Sequence, residues 1–91
     1  MAKKVLVVDD EPEMLNLMKF TLEQGKYDVV TCDTGRNAWA AIIDNKPDLI
    51  LLDVMLPGID GYSLQIKISQ DDLTKHIPIV IMTALEPSRT L

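Results

Sequence analysis

The sequence predicts an α/β domain built on a parallel sheet, and two observations carry that prediction. Short apolar runs rich in β-branched residues recur along the chain: Val5-Leu6-Val7-Val8, Leu49-Ile50-Leu51-Leu52 and Ile79-Val80-Ile81-Met82. Uninterrupted runs of this kind read as strands buried on both faces, which requires helices above and below the sheet. The segments between them carry helix starts and stops, so strand and helix alternate. Alternation at this spacing implies right-handed crossovers between parallel strands.

Taken in order, the first strand spans about Lys4 to Val8. A helix follows from about Pro12 to Gln24, with proline suited to the first turn and Gly25 to the stop. The second strand is about Asp28 to Cys32. Thr34-Gly35 opens a second helix, about Arg36 to Asn45, closed before Pro47. The third strand is about Asp48 to Asp53, and Leu56-Pro57-Gly58-Ile59-Asp60-Gly61 has the residues of a turn. A third helix runs from about Gly61 to Ser69, a polar connection from Gln70 to His76, and a fourth strand from about Ile79 to Thr83. No repeat, linker or low-complexity tract interrupts this order.

The chain has 91 residues, enough for one domain over 1–91, and is 47% hydrophobic and 25% charged, a globular balance. Fourteen acidic against nine basic residues leave a net charge of −5. That argues against nucleic-acid binding by this domain, since phosphate backbones need a cationic surface. No apolar stretch reaches the roughly 18 residues a membrane span needs, so no membrane partner is expected. The N-terminus enters a strand at once without a signal-type apolar region, and a cytoplasmic location is expected. The single Cys32 excludes an internal disulfide and reads as a buried thiol.

The chemistry lies at the strand ends. The first run stops on Asp9-Asp10, the third strand on Asp53, and the fourth on Thr83. In open parallel sheets ligands bind outside the carboxyl ends of the strands. If the first and third strands are neighbours, three carboxylates meet, and they cannot all stay ionised without a cation or a raised pKa. Mg²⁺ suits such a set, taking a few carboxylates, a carbonyl and waters, with positions open to phosphate oxygens. A carboxylate beside Mg²⁺ can act as nucleophile in phosphoryl transfer. Other readings stay open: Asp10 with Glu13 resembles a helix capping box, Thr83 suits a strand, and Asp60 suits a turn. His76 lies in a polar loop with no metal role, and Trp39 is packing. Helix 1 carries Met14, Leu15, Leu17, Met18, Phe20 and Leu22, more apolar positions than one buried stripe needs. Core plus scattered surface positions explains them; so does a partner surface that includes Leu15 and Phe20.

The runs Lys4-Val-Leu-Val-Val-Asp-Asp-Glu-Pro12, Leu49-Ile-Leu-Leu-Asp-Val-Met-Leu-Pro-Gly-Ile-Asp-Gly-Tyr62 and Ile77-Pro-Ile-Val-Ile-Met-Thr-Ala84 together resemble the receiver domain of bacterial two-component response regulators. The resemblance implies a flavodoxin-like, doubly wound parallel sheet of order 2-1-3-4. It implies that Asp53 accepts phosphoryl from a sensor histidine kinase or phosphotransfer protein, and that the domain is not itself an enzyme. Mg²⁺ would be held by Asp9, Asp10, Asp53 and the carbonyl of Met55. Thr83 would be the switch hydroxyl, with small Ala84 leaving it access, and Leu15 and Pro57 would serve partner docking.

The family pattern continues into helix 4, strand 5 and helix 5, with a lysine at the end of strand 5. The last lysine here is Lys75, ahead of the fourth strand. The expectation is therefore a receiver domain that is C-terminally incomplete and has no catalytic lysine, whose strand 4 edge invites self-association. A degenerate receiver acting only as an interaction module is the alternative. A haloacid-dehalogenase-type phosphohydrolase is more remote: its Asp-x-Asp signature needs an acid of one carbon less at Glu11, and a longer chain.

Overall fold

A computed structural model of the chain describes residues 2–53 and 61–82. The element order is β1 (Lys4–Val8), α1 (Pro12–Gln24), β2 (Asp28–Cys32), α2 (Gly35–Asn45), β3 (Leu49–Asp53), α3 (Gly61–Gln70) and β4 (Ile79–Met82). The described strands form one parallel sheet, as the sequence predicts, in the order β2-β1-β3-β4 that the resemblance implies.

Boundaries differ from expectation by a residue. β3 starts at Leu49, because Asp48 is engaged before the strand: its N–H donates to the Lys4 carbonyl at 2.8 Å and its carboxylate accepts the Lys4 N–H at 2.8 Å. Helix α2 starts at Gly35 because Thr34 is its N-cap, the hydroxyl accepting the Asn37 N–H at 3.2 Å. Helix α1 stops at Gly25, its C-cap, as expected, but not through a left-handed glycine. Gly25 has φ −86°, and the left-handed position falls on Lys26 at φ 71°. Gly25 is favoured by proximity instead: a Cβ there would lie 3.2 Å from the Tyr27 ring.

Side chains alternate along each strand, so the sheet has two apolar faces. Leu6, Val8, Ile50 and Leu52 point to the face covered by α2 and α3, where they meet Ala38, Ile42, Leu64 and Ile68 in one buried cluster. Val5 and Val7 point to the other face and pack with Leu15 of α1. Trp39 packs against the first cluster, as expected, and the Lys67 ammonium lies 4.4 Å from its ring centroid, tying α3 to α2. Cys32 is a free, buried thiol; burial pushes its pKa up and Asp33 adds to the shift. None of the described helices is long and apolar enough to cross a membrane.

Candidate functional site

Strand register builds the site. β1 and β3 are parallel neighbours with Val8 opposite Leu52, so the next residues, Asp9 and Asp53, emerge side by side. Asp9 continues the Val5–Val7 row and Asp53 the Leu49–Leu51 row, which places both carboxylates at the α1 side of the sheet's carboxyl end. The Asp9 N–H still pairs like a strand residue, donating to the Cys32 carbonyl at 3.1 Å. Asp10 follows on the connection to α1. One carboxylate oxygen from each of Asp9, Asp10 and Asp53 falls in a group within 4.8 Å of one another. The conditional expectation of three converging acids is thus met.

Burial grades the three. Asp9 is 7% exposed and Asp53 9%, while Asp10 is exposed. Desolvation raises the pKa of Asp9, the negative charges of Asp53 and Asp10 add to the rise, and the Glu11 N–H, which donates to Asp9 Oδ1 at 2.9 Å, opposes it. Opposed influences therefore act on one carboxylate: loss of water and like charge favour the proton, a backbone dipole favours the anion, and the first two together prevail.

Asp10 does not form the capping box. The N-cap of α1 is Glu11, which makes no side-chain cap bond, with Pro12 in the first turn. Two residues, Asp9 and Asp10, separate the end of β1 from the N-cap Glu11, and Asp10 is spent on that connection, beside Asp9. Reasoning from the sequence alone overlooked Glu11, whose backbone N–H orients Asp9; the Glu-Pro pair at the helix start was the available signal. Leu15 requires a second correction. It is only 8% exposed and belongs to the core with Val5 and Val7, so it has little surface to offer a partner. The exposed apolar side chains of α1 are Met14, Leu17 and Phe20. His76 is exposed and stands apart from the acids. Met55, Pro57, Asp60, Thr83 and Ala84 lie outside the described residues.

A doubly wound parallel sheet with a carboxylate cluster at its carboxyl end defines an α/β domain suited to binding a cation or a phosphate there. The chain belongs to the response regulator receiver domain family, whose model matches residues 5–91. It is 43% identical over 82 residues to the phosphate regulon transcriptional regulatory protein PhoB of Pseudomonas aeruginosa, covering 90% of this chain and 36% of that protein. It is 44% identical over 84 residues to the alkaline phosphatase synthesis transcriptional regulatory protein PhoP of Bacillus subtilis, covering 92% of this chain and 34% of that protein. Among solved structures, the BeF3-activated N-terminal receiver domain of Klebsiella pneumoniae RstA superposes with a TM-score of 0.83 at 37% identity, covering 97% of this chain and 73% of that one. The N-terminal domain of a response regulator receiver protein from Methanoculleus marisnigri gives a TM-score of 0.86 at 36% identity, covering 93% of this chain and 71% of that one. The chain thus spans about a third of the length of these two regulators and under three-quarters of the solved receiver domains.

Proposed function

We propose that this chain is the phosphoacceptor receiver of a two-component phosphorelay, with Asp53 taking a phosphoryl group from the phosphohistidine of a sensor histidine kinase or phosphotransfer protein. The observation that carries the proposal is the grouping of Asp9, Asp10 and Asp53 at the carboxyl end of adjacent parallel strands. An Asp53 oxygen would form the new bond to phosphorus as the donor's phosphorus–nitrogen bond breaks. The bonding electrons return to the imidazole, which leaves neutral because its other ring nitrogen carries a proton.

The donor set fits Mg²⁺: three hard oxygen ligands crowd one ion's space, and the raised pKa of Asp9 reflects repulsion and lost solvation that a cation relieves. Asp9, Asp10 and Asp53, with the Met55 carbonyl, would hold it. Bound Mg²⁺ would supply neutralisation of the carboxylates and of phosphoryl oxygens. Asp9 and Asp10 then act as holders and Asp53 as the nucleophile. Thr83 serves as the switch hydroxyl, Ala84 gives it room, and Pro57 belongs to the partner surface together with exposed Met14, Leu17 and Phe20 of α1. The domain works in the cytoplasm and acts as a relay, not as an enzyme with a turned-over substrate. Self-association through the outer edge of β4 belongs to the same reading; a monomer in sedimentation at high concentration removes it.

Titrating Mg²⁺ and then beryllofluoride while following backbone amide signals tests the site. Mg²⁺ alone should shift Asp9, Asp10 and Asp53, and beryllofluoride should add a second, saturable change that Asp53→Asn abolishes. Absence of the second change in the unsubstituted chain overturns the phosphoacceptor assignment.

A further inference from the structure

Away from the acids, at the amino-terminal ends of β3 and β4, the fold forms a partly open cavity of about 310 Å³. Its walls come from two segments: the end of α2 with the turn that follows it, and the connection from α3 to β4. Ile42, Ile43, Pro47, Leu73 and Ile77 supply the apolar lining. Leu73 is 73% exposed at this cavity, an apolar side chain left to solvent.

The ionisable lining is one-sided. The chain carries fourteen acidic and nine basic residues, yet among the described residues the only ionisable side chains lining the cavity are Lys46 and His76. Thr74 also lines it, but its hydroxyl proton is committed to the Ile68 carbonyl at 2.7 Å. Three of the carbonyls near the end of α2 have donors. Ile42 accepts the Lys46 N–H at 2.9 Å, Ala41 accepts from the Asn45 amide at 2.9 Å, and Asn45 accepts from the Lys4 ammonium at 3.2 Å. Lys46 itself adopts a left-handed conformation, φ 49°, and the chain turns there into Pro47.

We infer that this cavity binds a small organic acid, an apolar body with one carboxylate, the body among Ile42, Ile43 and Ile77 and the carboxylate at Lys46 and His76. The volume lies at the lower end of ligand pockets, roughly 300 to 1,000 Å³. A cavity of about 150 Å³ holds a benzene ring, so this one suits a body of roughly two fused rings. Apolar burial supplies most of the affinity, and the two donors select the anion over its neutral analogue.

The probe pair is 2-naphthoate and 2-naphthalenemethanol, titrated into the full chain while the amide signals of Lys46, Thr74, His76 and Ile77 are followed. Naphthoate should shift these signals saturably and bind about tenfold more tightly than the alcohol, the scale of one charge-assisted hydrogen bond. Lys46→Gln should bring the acid down to the alcohol's affinity and leave the alcohol unchanged. Ile43→Trp, which fills the cavity, should remove both, with the native circular dichroism confirming the fold. Equal binding of acid and alcohol to the unsubstituted chain overturns the inference. So does a response centred on Leu51 and Val80 of the sheet, or no saturable shift at millimolar probe.

Discussion

Two helices cover one face of the sheet and, among the described residues, one helix covers the other. The α2/α3 face buries ten residues in a single cluster, including Leu6, Ile50, Leu64 and Ile68, each at 0% exposure. The α1 face buries three, Val5, Val7 and Leu15. β3 makes the contrast within one run of similar residues: Ile50 and Leu52 are buried, while Leu49 and Leu51, facing the other way, are half-buried. On β4, Ile79 and Ile81 pack against the larger cluster and Val80 is 48% exposed. Burial is therefore set by the element lying above a side chain and not by its apolarity. The acids belong to this comparison, since Asp9 and Asp53 continue the rows of the thinner face. Among the described residues, the acids stand on the less covered side of the sheet.

The largest expected effect is on the closed face. Leu64→Ala should cost about 2–5 kcal/mol in urea unfolding, because the neighbours cannot collapse into the space left. Leu51→Ala on the open face should cost about 1–2 kcal/mol, in proportion to its smaller buried area. Equal losses at the two positions would show that the α1 face is as closed as the other and break the comparison.

At the site the effect should reverse sign. The folded-state pKa of Asp9 is raised above its ordinary 3.8, so between that pH and its folded value the native state holds a proton the unfolded chain has released. Stability from this group falls as pH rises through that window, and the cost is fully present above it. Asp9→Asn keeps an oxygen for the Glu11 N–H and removes the charge. At pH 7 it should raise Tm by a few degrees, where ~1 kcal/mol corresponds to about 4–8 °C in a domain this size, and the gain should vanish below pH 3.8. Mg²⁺ should stabilise the unsubstituted chain at pH 7 and stabilise the variant less. The smallest effect concerns the tie between the two helices of the closed face. Lys67→Gln should cost about 0.5–1 kcal/mol in the same urea series, the scale of an exposed cation–π contact.

Much of this was legible in the residues. Unbroken apolar runs marked the strands, and β1 is buried on both faces as expected while β4, with Val80 48% exposed, is not; carboxylates at the strand ends marked the place where ligands bind in such a sheet. The readings that failed did so for local geometric reasons. Asp10 and Glu13 have capping-box spacing, but the chain needs two residues to leave β1, so Glu11 takes the cap. Helix 1 has apolar residues on several sides, and spacing alone does not tell which of Leu15, Leu17 and Phe20 faces the sheet; packing buries Leu15 and leaves the other two in solvent. The cavity at Lys46 and His76 carried no local signal, because its walls come from segments about thirty residues apart.

By itself the sequence determined the number and type of the described elements, the parallel sheet and the acids at the strand ends. These depend on side-chain periodicity and on local turn chemistry, which are properties of neighbouring residues. Only the tertiary structure decided that Val8 stands opposite Leu52, so that Asp9 and Asp53 meet, that desolvation and like charge then raise the pKa of Asp9, and that among the described residues one face of the sheet is closed more fully than the other. Those are properties of register and of covering elements, and they arise from residues distant in the chain being brought to the same place.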